Sequence, residues 1–252
     1  MGRAPKVALC VLTCSCNNSQ PNALLRLLLP SVVRKTTPGV RRGMRAFVGV
    51  DFDDALIANF STPWMRRVRG ILPTTFVPVH PRVRRQHLPW NELMLAAYSS
   101  GFDYMIRTQD DVVVLTRGWV SEMIAALVAQ RNFGAVGPTF CEGNVRAFSA
   151  MDVVHKTHMC IFKKHYYPEE LENYHIDDWI WDVYRPHRAR KLANVVVSHR
   201  VFYHGQQYRA CANQGALVPE LVARGKAAIE ARRARCVDRH HHAKTRNDSR
   251  KG

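Results

Sequence analysis

Two aspartates in succession, Asp110 and Asp111, close an apolar run that reads Tyr-Met-Ile-Arg-Thr-Gln-Asp-Asp from Tyr104. Adjacent carboxylates at a strand end repel each other unless positive charge sits between them. A divalent cation meets that need with oxygen ligands, and a bound cation then attracts phosphate. Side chains alternate faces along a strand, so Gln109 and Asp111 point together and Asp110 points away. On a regular strand Asp111 therefore binds the cation directly. Asp110 then acts through water or holds a ligand hydroxyl, unless the backbone turns at that point. The plain alternative is a pair of solvated loop residues.

A further ligand must come from elsewhere, and His199 and His204 are the candidates. Their spacing puts them on opposite faces of a regular strand. His204 is favoured, because it ends the apolar run and Gly205 lets the backbone approach a ligand closely. A histidine hydrogen-bonded within the fold is the competing reading.

The second acidic pair is Asp177-Asp178, set between Ile176 and Trp179-Ile180-Trp181. One aspartate in such a place commonly caps the helix that follows. The other is free for chemistry, and aromatic surroundings raise a carboxylate's pKa and make it a better proton acceptor. Asp178 is the expected general base, with Asp177 as the other candidate. His155 and His158, three apart, read equally as a polar helix face or as acceptor-binding residues.

The elements that must position these groups alternate. Lys6 to Thr13, Met44 to Val50, Phe76 to Val79, the Tyr104 run and Gly134 to Gly137 read as strands. Asn22 to Arg34, Leu88 to Ser99 and Thr116 to Gln130 read as helices, the second with Pro89 near its start and Gly101 past its end. That order predicts an α/β fold with a largely parallel sheet flanked by helices. Ligands of such sheets bind beyond the carboxyl ends of the strands. Thr13 to Asn18, Asp51 to Asp54 and Asp110-Asp111 would then share one rim. Later, Pro138 to Ser149 reads as a loop, Glu169 to Tyr184 contains a helix, and Asn194 to Tyr203 is a strand.

The chain has 252 residues and a formal net charge of +17, which favours acidic partners. From Lys226 to Gly252 there are nine Lys and Arg against three Asp and Glu, a net of +6 that leaves +11 for the body. Few large apolar residues follow Val237, so the expectation is a helix from Pro219 to about Cys236 fading into a disordered tail. His240 to His242 in that tail could hold metal only adventitiously. Seven cysteines form no disulfide or zinc pattern, although Cys10, Cys14 and Cys16 are crowded. No signal-peptide core and no run near the ~20 apolar residues of a membrane span is legible, which reads as a soluble, cytoplasmic protein. Basic clusters at Arg41-Arg42-Arg45, Arg66-Arg67-Arg69 and Arg82-Arg84-Arg85 read as a solvated positive face, or as contact with an acidic acceptor or membrane surface.

Taken together, these motifs resemble the GT-A fold glycosyltransferases, a Rossmann-like nucleotide-binding family with a DxD metal motif. Gln109-Asp110-Asp111 stands where DxD belongs, with Gln in place of the first Asp. Pro89-Trp90-Asn91, Gly137-Pro138-Thr139 with Gly143-Asn144, Val154-His155-Lys156-Thr157-His158, Asp177-Asp178-Trp179-Ile180 and His204-Gly205 are similar, in that order, to algal and viral members. The resemblance covers residues 6 to 222. It implies one glycosyltransferase domain over residues 1 to 225, with 226 to 252 as basic helix end and tail.

It also implies transfer of a sugar from a UDP- or GDP-linked donor to an acceptor hydroxyl, with inversion. A divalent cation, manganese before magnesium, would be held by Asp111 and His204 with Asp110 beside it. Thr13, Asp51, Asn91, Gln109 and Asp110 would line the nucleotide pocket. Asp178 or Asp177 would deprotonate the acceptor, whether glycan, protein or small molecule. Two other classes use the same features. A basic nucleic-acid-binding protein accounts for the charge, though no helix-turn-helix, zinc finger or paired aromatic platform is legible. A metal-dependent nucleotidyltransferase or phosphohydrolase would use the same aspartates.

Overall fold

The computed structural model describes residues 4–13, 22–52, 63–81, 85–142, 148–172, 175–201, 203 and 214–232. Cys14, Cys16, Asn18, Asp53, Asp54, Arg82, Arg84, Gly143-Asn144, His204-Gly205 and the tail after Arg232 lie outside them.

The chain begins with strand β1 (Val7–Thr13), every residue of which is buried. Val7, Leu9 and Val11 join one hydrophobic cluster, while Ala8, Cys10 and Leu12 join a second. This period-two division means that both sheet faces are covered, as an apolar strand without polar alternation requires. A π-helical turn (Leu24–Leu28) runs directly into α1 (Leu29–Lys35), followed by α2 (Pro38–Arg42), β2 (Met44–Asp51), α3 (Pro63–Ile71) and β3 (Thr74–Val79). Next come α4 (His87–Ser99), β4 (Tyr104–Gln109), β5 (Val112–Val114), α5 (Trp119–Ala129) and β6 (Ala135–Phe140). The last part holds β7 (Met151–His155), α6 (Thr157–Ile161), α7 (Ile176–Tyr184), β8 (Ala189–His199) and a helix, α8, described over residues 218–232.

Apolar residues of the π turn, α1, α3 and α5 fill one face of the sheet. Residues of α4, α6, α7 and α8 fill the other. α8, over residues 218–232, runs through the helix expected from Pro219 onward. Gly225 lies within it against α7, where an added Cβ would stand 2.4 Å from Val183 Cγ2.

The eight strands form one sheet in the order β3-β2-β1-β4-β7-β6-β8-β5. β3, β2, β1 and β4 are parallel, which places the ends of β1, β2 and β4 on a common rim. The other half departs from the expected parallel sheet. β7 is antiparallel to both β4 and β6, β6 and β8 are parallel, and β5 pairs antiparallel with β8, so the sheet is mixed.

Three local features account for the differences from the sequence reading. β6 continues through Pro138 to Phe140 because the proline sits at the register shift between Pro138 and Thr139, where its missing N–H breaks no regular ladder. β8 starts at Ala189, five residues before the expected Asn194, because its exposed Arg190 and half-buried Lys191 mask the buried Ala189 and Leu192. β7 carries Asp152 inside an otherwise apolar pattern, so sequence periodicity missed it as a strand. Among the described residues, no helix is long and apolar enough to cross a membrane.

Candidate active site

The backbone does turn after Gln109. β4 ends there, Asp110 and Asp111 form the turn, and β5 begins at Val112 on the far side of β8. The two carboxylates therefore part company without the strict alternation of a continuing strand. Asp110 is buried, and Thr13 Oγ1 at the end of β1 donates to its Oδ2 at 2.8 Å. Asn22 Nδ2 donates in turn to Thr13 Oγ1 at 3.3 Å. Asp51 ends β2 on the same rim, one residue past the Val50 that pairs with Thr13.

Asp111 faces the last residue of β8. His199 pairs with Val112 across the ladder, and its Nε2 lies 3.2 Å from Asp111 Oδ1 and 2.9 Å from Gln109 Oε1. The arginine that follows donates its backbone N–H to the Asp111 carbonyl at 3.0 Å, which fixes the turn. The structure thus brings His199 to the carboxylates, while His204, favoured by sequence, lies outside the described residues.

The second acidic pair is divided by helix geometry. Both aspartates occupy the first turn of α7, where the positive end of the helix dipole favours them. Successive residues point about 100° apart around a helix. Asp177 turns inward, with Oδ1 3.1 Å from Arg107 Nη1. Asp178 turns toward His175, whose Nδ1 is 2.9 Å from its Oδ2. Its side chain is 41% exposed, on a groove of about 640 Å³ between α7 and α8. Burial pushes the Asp177 carboxyl up to about 7; Arg107 and His199 oppose the rise, and Asp152 and Asp178 add to it.

Arg107 organises this side of the site, and sequence reasoning overlooked it. Its side chain is 1% exposed and that of Asp152 0%. Nε donates to Asp152 Oδ1 and a terminal nitrogen donates to the Phe148 carbonyl. The Tyr166 hydroxyl donates to the other Asp152 oxygen. Trp90 and Tyr167 flank the guanidinium at 5.7 and 6.0 Å from their ring centroids. A guanidinium stays charged when buried, so Arg107 is a fixed cation between two carboxylates. The legible signal was an arginine inside the apolar run Tyr-Met-Ile-Arg-Thr.

Other sequence candidates lie elsewhere. Asn91 is buried on α4, where its Oδ1 accepts from the backbone N–H groups of Tyr166 and Tyr167 at 2.8 Å and its Nδ2 donates to the Tyr167 carbonyl at 3.0 Å. Those bonds hold the 166–167 turn. His158 is buried and bonded to the Tyr184 hydroxyl and the Tyr166 carbonyl; burial lowers it to about 4, so it stays neutral inside the core. His155 bonds Thr157 Oγ1 and is likewise lowered to about 4, burial again the main cause. Arg41 and Arg42 end α2, and Arg69 lies in the last turn of α3, where basic residues meet the negative end of a helix dipole.

Among the described residues, no three His, Cys, Asp or Glu side chains form a complete metal cage. The donors at Asp111 nevertheless fit a divalent cation in part. Asp111 Oδ1 is buried and 3.2 Å from His199 Nε2, and the Gln109 oxygen lies 2.9 Å from the same nitrogen. A hard cation that keeps positions for water and phosphate needs only one or two protein carboxylates.

No family model matches the sequence, and no curated protein is similar to it. The fold, in contrast, has solved counterparts. S. aureus TarS 1–349 in complex with UDP-GlcNAc superposes with a TM-score of 0.60 at 12% identity, covering 87% of this chain and 66% of that one. The mannosyltransferase PcManGT from Pyrobaculum calidifontis, with GDP-Man and Mn2+, gives 0.56 at 14% identity over 94% and 76%. GalNAc-T7 with UDP, GalNAc and Mn2+ gives 0.55 at 10% identity over 78% and 44%. The fold is that of the GT-A glycosyltransferases. The chain spans just under two thirds of the TarS fragment, 66% of its length. In the GT-A arrangement of this chain, Thr13, Asp51, Asp110 and Asp111 stand at strand ends on one rim, with His199 and Asp177 brought to them from the second half.

Proposed function

We propose that this chain is a metal-dependent glycosyltransferase that moves a sugar from a UDP- or GDP-linked donor to an acceptor hydroxyl with inversion at the anomeric carbon. The observation that carries this reading is the convergence of Thr13, Asp110, Asp111, His199 and Asp177 from separate parts of the chain. Similar folds bind UDP-GlcNAc and GDP-Man, and two hold Mn2+.

Asp111 and His199 hold the cation, with Gln109 replacing a carboxylate of the usual motif, and His204 as the further candidate. Manganese or magnesium supplies there a positive charge against the diphosphate of the departing nucleotide. Thr13 and Asp51 hold the base and ribose at the ends of β1 and β2. Asp110 is kept rigid by Thr13 and presents its remaining acceptor capacity to the ribose.

Asp177 is the proton acceptor. Its place beside Arg107 and its raised pKa make it a base poised near neutrality. The acceptor oxygen gives its proton to Asp177 and forms the new bond to the anomeric carbon, while the bond to the diphosphate breaks on the opposite face. Asp178, the base favoured by sequence, faces the outer groove and serves the helix start.

A thermal-shift screen of UDP- and GDP-sugars with and without Mn2+ tests the class. A donor that stabilises the protein only with Mn2+, followed by a product of inverted anomeric configuration in NMR, supports the reading. Absence of any nucleotide effect removes it.

A further inference from the structure

Below Asp177, helix α7 carries a strip of side chains that the donor site does not use. Trp181 lies one helical turn on, about 6 Å along the axis, and Arg185 is the extended residue that follows the helix end at Tyr184. Trp181 is half-buried, with Phe148 packed edge-on at 4.8 Å between ring centroids. Lys191 from the first residues of β8 reaches the indole at 5.7 Å, and the Arg185 guanidinium lies at 5.6 Å. Both cations lie over the indole ring.

Their counterions differ. Arg185 Nη1 has Asp182 at 3.5 Å. Lys191 has no carboxylate in an ion pair among the described residues, burial lowers its ammonium, and the Trp181 ring is the group it lies over. A partly desolvated cation without a counterion is unfavourable in the free protein, and an anion from solution relieves it. Beside it, the half-buried indole holds both cations and offers the rest of its exposed surface to the C–H face of a sugar ring.

We infer that this strip is the acceptor subsite, and that the acceptor is an acidic carbohydrate whose carboxylate or phosphate lies one or two sugar units from the reacting hydroxyl. The inference rests on the transferase reading above, since Asp177 marks where the hydroxyl must sit. The acid is recognised by Lys191, with Arg185 in support, and the adjacent sugar by Trp181. Asp178 and Asp182 line the neighbouring groove on the outer face of α7, where Arg185 and Lys226 balance them.

The test is a set of dissociation constants for the full chain with trigalacturonate, maltotriose 6-phosphate and neutral maltotriose, beside UDP and GDP as controls. At least one acidic trisaccharide should bind tenfold or more tightly than maltotriose, and which one does so tells carboxylate from phosphate. Lys191→Gln should remove that advantage, Lys191→Arg should keep most of it, and Arg185→Gln should weaken it two- to fivefold. Nucleotide affinity should stay within twofold in all three. Equal binding of acidic and neutral sugars, or an unchanged advantage in Lys191→Gln, overturns the inference. A wild-type chain that binds no nucleotide removes the transferase reading instead, while the acidic-sugar comparison still reports on the strip by itself.

Discussion

The two aspartate pairs make an instructive contrast. Asp110-Asp111 sits in a turn between two strands, and both carboxylates stay on the site rim, one tied to Thr13 and the other to His199. Asp177-Asp178 opens a helix, and the 100° step between residues sends them to different places. Asp177 meets Arg107 with its side chain 29% exposed, whereas Asp178 meets His175 on the outer groove. The same dipeptide thus keeps both carboxylates on one rim in one backbone and parts them in the other. Secondary structure decides what an acidic pair can do.

The largest expected effect separates the members of the second pair. Asp177→Asn should lower kcat by about 10² to 10⁴, the usual range for a lost general base, with donor affinity unchanged. Asp178→Asn should cost less than about tenfold, since it loses only a helix-start contact. Steady-state kinetics of both variants check this, and a reversed order of severity would give the base role back to Asp178.

Next in size is the cation that holds Asp177. Arg107→Met leaves the buried Asp152 carboxylate without its partner, and breaking such a pair costs about 3–5 kcal/mol. Urea unfolding of wild type and variant measures it. A loss below about 1 kcal/mol would mean that Asp152 is not held as a buried charge.

Asp177 also links stability to pH. Its pKa in the folded chain is about 7, above the ordinary value of 3.8, so its stabilising contribution is complete below pH 4 and is lost as pH rises through 7. Asp177→Asn should therefore raise Tm by a few degrees at pH 8 and change it little at pH 4. An equal shift at both pH values would contradict the raised pKa. The smallest effect belongs to the first pair: Thr13→Val removes one donor to Asp110 and should cost about 1–2 kcal/mol in urea unfolding. An undiminished stability would show that Asp110 finds another donor.

The parallel half of the sheet was legible because β1, β2 and β4 are apolar runs that end in polar residues, and the carboxyl-end rule then gathered Thr13, Asp51 and Asp110-Asp111. The second half was less so. Asp152 interrupts the pattern of β7, Pro138 disguises the length of β6, and no local signal tells that β7 inserts antiparallel between β4 and β6. The choice between His199 and His204 depends on a ladder register, Val112 to His199, that connects residues far apart in the chain. The choice between Asp177 and Asp178 depends on helix phase, which a capping preference does not fix. The role expected for Asn91 failed to foresee backbone partners some 75 residues away.

The central claim is that Asp111 and His199 form the cation-binding corner of a nucleotide site. Calorimetric titration of UDP and GDP into wild type and Asp111→Ala, each with and without Mn2+, tests it most directly. The account predicts that Mn2+ tightens nucleotide binding at least tenfold in wild type and leaves Asp111→Ala unaffected. Equal tightening in the two proteins, or none in wild type, contradicts it.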